Sequence, residues 1–172
     1  METRDVKFVA LTTPDSLAVV RDIAAEIWPE TFRAILPPEQ IPYMMKMMYA
    51  PEVMERELSS GYAFDLLTVD GKDAGYMVYS PTGEPGTMKL HKLYLLSEYH
   101  GCGCGQKMLQ HVISISSELG YRSVILAVNK QNYKAQKAYK RFGFILEKSV
   151  CVDIGNGFFM DDYLFRFRMD NT

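Results

Sequence analysis

A run of alternating glycines, Tyr99-His100-Gly101-Cys102-Gly103-Cys104-Gly105-Gln106-Lys107, separates two segments of different periodicity. Ahead of it, Lys89 to Leu96 reads as a strand; behind it, Met108, Leu109, Val112, Ile113, Ser116 and Leu119 recur at helical spacing. A strand that turns into a helix through glycines makes an anion site. Without Cβ atoms the backbone lets a ligand come close, and the first helical N–H groups, lacking intrahelical acceptors, point at it with the positive end of the helix dipole behind them. Phosphate is the natural guest.

Spacing narrows the kind of phosphate. No glycine stands five residues before Gln106, and Lys107 is followed by Met108 rather than Ser or Thr, so the turn is not a P-loop. The dinucleotide pattern G-x-G-x-x-G needs glycine at Gln106 if read from Gly101 and at Met108 if read from Gly103, and fails in both frames. Downstream, Val124-Ile125-Leu126-Ala127-Val128 is an unbroken apolar run, as expected of a parallel strand covered on both faces, and it completes a strand, helix, strand crossover. Another helix follows from Asn129-Lys130-Gln131-Asn132. Its Ala135, Ala138, Tyr139 and Phe142 form one stripe, and Gly143 stands where a left-handed residue would end it.

His100-x-x-Gly103-x-Gly105 resembles the Q/R-x-x-G-x-G/A loop of the GCN5-related N-acetyltransferases (GNAT). The string from Asn132 through Ala135 and Tyr139 to Gly143-Phe144 resembles that family's N-x-x-A-x-x-x-Y-x-x-x-G-F signature. The resemblance implies an α/β fold: a mixed, mostly antiparallel central sheet with helices on both faces and a splayed central strand pair holding acyl-CoA. It also implies one domain over residues 1–172, with acetyl-CoA as the acetyl donor and no metal. The segments from Ile27 to Phe32 and from Asp153 to Tyr163 are more loosely similar to bacterial polyamine (spermidine/spermine) acetyltransferases.

Site residues follow position by position from the same resemblance. The pyrophosphate of CoA falls to His100, Gly101, Cys102, Gly103, Cys104, Gly105 and Gln106, and the amides of its pantetheine arm to backbone groups around Leu93, Tyr94 and Leu95. Leu90 and Leu93, three apart, cannot share a face of a regular strand, so a β-bulge between them is expected, bending the strand to open that gap. Asn132 either caps its helix or bonds the pantetheine arm, and the two roles are compatible. Tyr139 falls at the general-acid position, where a phenol of pKa about 10 protonates a leaving thiolate of pKa about 8.5 when held close to it. Its alternative is a core aromatic on the stripe.

His100 departs from the family's Arg or Gln. Either backbone amides dominate binding there, or affinity rises as the imidazole protonates near about pH 6.5. The incoming amine must lose a proton, and His91, where relatives often carry Glu, is the candidate base, directly or through water. Asp161, Asp162 and Glu30 are alternative groups for attracting a cationic amine. Cys102 and Cys104, with no further Cys pair nearby, fall short of a four-ligand metal site. They are expected as small fillers of the loop that a helix N-terminus leaves open to oxidation. Met44, Met45, Met47 and Met48 with Tyr43 read as core.

The rest of the chain fits one packed domain. Its 172 residues are 48% hydrophobic, and a net charge of −2 gives no electrostatic footprint for nucleic acid or an acidic membrane surface. With no membrane-length apolar stretch and no signal-like N-terminus, the expected location is the cytoplasm. Val6 to Leu11 is a strand; Thr13 and Pro14 open a helix that Pro29 should kink or end; Glu39 to Ala50 and Glu52 to Leu58 are short helices. Asp70-Gly71 joins Tyr62 to Val69 with Lys72 to Ser80 as a hairpin, and Phe144 to Val152 with Phe158 to Met169 form another. The resemblance implies acetyl transfer to a primary amine, with a polyamine, an amino sugar, an amino acid or a protein α-amine as the expected acceptor. A non-catalytic acyl-CoA sensor is the alternative, and an exposed final strand offers pairing to a second copy as a homodimer.

Overall fold

The computed structural model describes residues 3–169 and divides into two compact units, one running to Ser80 and resuming over Lys92–Met108, the other comprising Pro81–His91 and the chain from Leu109. Seven strands hydrogen-bond in the order β1-β2-β3-β4-β5-β7-β6, a mixed open sheet in which β4 and β5 are parallel.

In the first unit β1 (Val6–Ala10) pairs antiparallel with β2 (Ala63–Val69), which pairs antiparallel with β3 (Lys72–Pro81). Asp70 and Gly71 both have positive φ, 51° and 78°, as the tight turn between twisted strands requires. Thr13 and Ser16 bond reciprocally, each backbone N–H donating to the other's hydroxyl at 3.3 Å, ahead of α1 (Ala18–Phe32). Pro29 does not end α1. Its missing N–H deprives only the carbonyl of Ala25, an exposed residue, while buried Trp28 and Phe32 hold the last turn and the Arg33 N–H closes onto the Pro29 carbonyl at 3.2 Å. Two further helices, α2 (Gln40–Tyr49) and α3 (Pro51–Ser59), follow. Of the methionine cluster only Met44 is fully buried; Met45 and Met48 are half-buried and Met47 is exposed, so the core reading holds for one of four.

The strand before the glycine turn, β4 (Thr87–Leu95), buries Met88, Leu90 and Lys92 in strict alternation and leaves Leu93 half-buried on the other side. The buried residue that follows Leu90 on its face is therefore Lys92, not Leu93. Close approach marks the end of the strand instead. A Cβ at Gly75 would collide with the Tyr94 carbonyl oxygen, and the Leu96 N–H donates to the Ala74 carbonyl at 2.9 Å.

In the second unit Thr87–Leu90 of β4 pair with Ser123–Leu126 of β5 (Ser123–Asn129), β5 pairs antiparallel with β7 (Phe158–Arg168), and β6 (Ile145–Gly155) pairs antiparallel with β7. Val124, Leu126 and Val128 are buried, but Ile125 is half-buried and Ala127 exposed, so β5 is not covered on both faces as its apolar run suggested. Arg166 ties this unit together. Its guanidinium donates to Ser123 at 2.8 Å, to Glu84 at 3.0 Å and to Glu147 at 3.0 Å.

Candidate functional site

Two elements carry the sequence-predicted site. In the first unit a short turn at Ser97–Tyr99 leads through extended His100 into α4 (Cys104–Glu118). Gly101 and Gly103 adopt φ of 77° and 83°, conformations that side-chain residues rarely reach, and Gly103 offers its carbonyl to the Lys107 N–H at 3.1 Å as the helix starts. Gly105 is different: its φ is ordinary and a Cβ there would meet nothing within 4 Å. Open space thus flanks Gly101, Gly103 and Gly105 alike, beside the first N–H groups of α4, which fits a diphosphate.

The loop's side chains are occupied in ways the sequence did not show. His100 Nε2 lies 2.8 Å from the Leu95 carbonyl, so the ring is drawn back toward β4. Cys104 is buried, the small filler expected, but Cys102 is exposed, with its Sγ 2.8 Å from the Tyr99 carbonyl and 3.1 Å from Cys104 Sγ. Sharing that contact lowers the Cys102 pKa, while burial first and then the neighbouring sulfur push Cys104 up to about 11. Gln106 is half-buried on the first turn of α4. Leu93, Tyr94 and Leu95 are all half-buried at the end of β4.

In the second unit Asn132 is the N-cap of α5 (Tyr133–Phe142), its Oδ1 accepting from the Ala135 N–H at 3.3 Å. Gly143 ends the helix at φ 125°, where a Cβ would press on the Phe167 ring at 3.0 Å. The stripe of Ala135, Ala138, Tyr139 and Phe142 is half-buried throughout rather than core. The buried residue of α5 is Gln136, whose amide donates to the carbonyls of Asn129 at 3.0 Å and Lys130 at 2.8 Å and so fixes the entry to the helix. Tyr139 has its ring 6.0 Å from that of Phe144, and burial of the hydroxyl raises its pKa to about 12. It stays protonated at any working pH, as a proton donor must.

The candidate bases are placed less tellingly. His91 is half-buried on β4, on the side opposite Leu90 and Lys92. Glu30 is exposed on α1. Asp161 is bound by Lys130 at 2.8 Å, and burial, aided by Asp161, raises Asp162 to about 6.

Sequence reasoning missed a cluster in the first unit. Lys92 is 5% exposed, donates to the Met48 carbonyl at 3.1 Å, and lies 4.2 Å from the centre of the Tyr49 ring. Burial lowers its pKa to about 8, opposed by the charge of Glu57. Tyr49 accepts from Trp28 Nε1 at 3.0 Å and bonds Tyr76 hydroxyl to hydroxyl at 2.5 Å, and the Tyr94 ring lies tilted with its centre 5.8 Å from that of Trp28 and 5.6 Å from that of Tyr76. The period-two pattern Met88, Leu90, Lys92 was the available signal.

These elements match a known family. The profile of the acetyltransferase (GNAT) family covers residues 20–144, from α1 through the glycine turn to the end of the α5 signature. The chain belongs to this family. An uncharacterized N-acetyltransferase of Mycobacterium tuberculosis is 36% identical over 75 residues, 44% of this chain and 47% of that protein. One from Schizosaccharomyces pombe is 32% identical over 74 residues, 43% of this chain and 45% of that protein. The chain spans about half the length of the curated relatives it matches. Among solved structures, the PaiA N-acetyltransferase of Thermoplasma acidophilum in complex with coenzyme A superposes with a TM-score of 0.81 at 20% identity, covering 96% of this chain and 99% of that one. The ribosomal-protein-S18-alanine N-acetyltransferase of Escherichia coli does so with a TM-score of 0.72 at 16% identity, covering 98% and 96%. GNAT architecture thus extends over nearly the whole chain. No helix among the described residues is long and apolar enough to cross a membrane.

Proposed function

We propose that this GNAT protein transfers the acetyl group of acetyl-CoA to a primary amine by direct attack in a ternary complex, working as a single domain in the cytoplasm. The glycine turn into α4 carries the proposal. Its positive-φ glycines and open flank at Gly105 suit the diphosphate of CoA, with backbone N–H groups of Gly103, Cys104, Gly105 and Gln106 as donors and Gly101 and Cys102 shaping the turn. His100 Nε2, 2.8 Å from the Leu95 carbonyl, ties the head of the turn to the end of β4. Backbone groups of Leu93, Tyr94 and Leu95, with Asn132 beyond its capping bond, are assigned the pantetheine arm.

Bound acetyl-CoA supplies an activated thioester. The amine nitrogen forms a bond to the acetyl carbon, the carbon–sulfur bond breaks, and the sulfur takes a proton. Tyr139 is the assigned donor. Full transfer from a phenol at about 12 to a thiolate near 8.5 is uphill by about 5 kcal/mol, so its hydroxyl hydrogen-bonds the sulfur as charge develops, and the sulfur takes that proton as the phenolate oxygen regains one from the proton the amine gives up, through water. The proton lost by the attacking amine passes to His91 or to water beside it. Small polyamines and protein α-amines are the proposed acceptors.

Release of free thiol from acetyl-CoA, followed over a panel of polyamines, amino sugars, amino acids and peptides with free N-termini, tests this. Amine-dependent release supports transfer. Tight CoA binding without release across the panel would instead identify an acyl-CoA sensor.

A further inference from the structure

Two thiols meet on the glycine turn. The Sγ atoms of Cys102 and Cys104 lie 3.1 Å apart, with Gly103 between the two residues at φ 83°. They differ in access: Cys102 is exposed, whereas Cys104, the first residue of α4, is 2% exposed. The contact with Cys104 favours the thiolate at Cys102, and Arg4, whose guanidinium lies 5.9 Å from the centre of the Tyr99 ring, adds to it. Burial and the hydrogen bond to Cys102 keep Cys104 protonated, opposed by Lys107 and Arg4. An exposed thiol with thiolate character, touching a buried second thiol, is the arrangement of an attacking and a resolving cysteine.

We propose that Cys102 and Cys104 form a dithiol modification site, at which a low-molecular-weight disulfide closes a bond across Gly103 and weakens CoA binding at the turn. Two exchanges accomplish this. The Cys102 thiolate attacks one sulfur of the small disulfide, forms a mixed disulfide and releases the first small thiolate. Cys104 Sγ then attacks Cys102 Sγ, which forms the Cys102–Cys104 bond and expels the second. Two protein thiols are oxidised, the small disulfide is reduced to two thiols, and the protons the cysteines held leave with them. The first exchange prepares the second. Once Cys102 is a mixed disulfide, its charge and its hydrogen bond no longer hold the Cys104 proton, leaving burial opposed by Lys107 and Arg4.

The effect on CoA rests on the reading of the turn as the diphosphate site. Closure brings the sulfurs from 3.1 Å to a bonded separation of about 2.05 Å and takes Cys102 Sγ away from the Tyr99 carbonyl. The ring so formed contains the N–H groups of Gly103 and Cys104, two of the four donors assigned to the diphosphate, and re-aims them. Space allows the turn to move, since even a Cβ at Gly101 or Gly103 would meet nothing within 4 Å. Misaligning one hydrogen bond to an anion is enough for about a tenfold loss of affinity.

Reduced protein carrying Cys151→Ser, which removes the remaining cysteine, is treated with glutathione disulfide and followed by intact mass and unreduced peptide mapping. The mass should fall by two hydrogens, with Cys102 linked to Cys104. In the same background Cys104→Ala should stop at a glutathione adduct on Cys102, and Cys102→Ser should react at least tenfold more slowly. Acetyl-CoA, which has no free thiol, should bind the closed form at least tenfold more weakly than the reduced form in calorimetry, and dithiothreitol should restore the affinity. A glutathione adduct that persists with Cys104 in place overturns the proposal, and this reading needs no variant at the buried position. So does Cys102→Ser reacting as fast as Cys104→Ala, or equal acetyl-CoA affinity in the two redox forms. Failure of the diphosphate reading looks different: the disulfide closes as described, but the reduced form already lacks affinity for acetyl-CoA, which overturns the effect on binding together with that reading.

Discussion

Replacing Lys92 by Met should change how stability responds to pH. Lys92 is buried beneath Tyr49 with a pKa near 8 against an ordinary 10.5. The difference corresponds to about 3 kcal/mol spent at neutral pH to keep its ammonium charged in the folded state. Because the folded protein binds this proton more weakly than the unfolded chain does, the unfolded chain carries the extra proton between about pH 8 and 10.5, and stability rises with pH through that window. Lys92→Met removes the charge while filling the volume. It also removes the hydrogen bond to Met48 and the contact with the Tyr49 ring, together about 1–2 kcal/mol, and takes away one of the two cations, with Arg56, that lower the pKa of Glu57.

The net effect at pH 7 is accordingly small. The decisive quantity is the stability of the variant minus that of the wild type. It should fall by about 1.3 kcal/mol between pH 7 and 9, since the wild type gains that much as Lys92 sheds its proton and the variant does not. Buried Tyr49, Tyr76 and Tyr139, whose pKa values are raised, destabilise both proteins equally on the alkaline side and cancel in the difference. Urea unfolding at four pH values reads this directly. A difference constant with pH would refute the assignment of a strained, buried ammonium to this position.

Tyr139→Phe should lower kcat by roughly 100-fold or more while leaving the dissociation constant for CoA unchanged, as measured by steady-state kinetics and calorimetry; unchanged turnover would remove the hydroxyl from the reaction. His100→Ala should weaken CoA binding by a similar factor at pH 5.5 and at pH 8, because the ring can donate to the Leu95 carbonyl in either protonation state. A deficit confined to acid would restore the imidazolium to the pyrophosphate. Asp162→Asn should stabilise the protein at pH 7 by up to about 3 kcal/mol and have little effect at pH 3.5. The wild-type carboxyl, at about 6 when folded, binds more protons in the folded state from about pH 4 to 6, so stability falls as it ionises; a gain equal at both pH values would contradict this.

Most of the architecture was legible because local chemistry and tertiary structure agree. Asp70-Gly71 takes the positive φ values its hairpin needs, Asn132 caps α5, and Gly143 closes it. Failures came where a local rule met a tertiary environment. Pro29 is tolerated because the bond it deletes is at an exposed turn while Trp28 and Phe32 are buried. The β4 bulge rested on the spacing of Leu90 and Leu93, while the buried residue beside Leu90 is Lys92, whose aromatic surroundings come from α2 and β3, distant in sequence. Gln136 was hidden for the same reason: its amide serves carbonyls of the preceding loop, a role no periodicity announces. The glycine turn was legible as an anion site, whereas the exposure of Cys102 and the bond from His100 to Leu95 depend on how the loop folds back on β4.

Amide hydrogen exchange with and without saturating CoA tests the central claim most directly. Slowed exchange at the N–H groups of Gly103, Cys104, Gly105 and Gln106 on CoA addition, and not on addition of a CoA fragment lacking the diphosphate, is the predicted result. Tight CoA binding with exchange at these four amides unaltered would contradict it and move the donor site off the glycine turn.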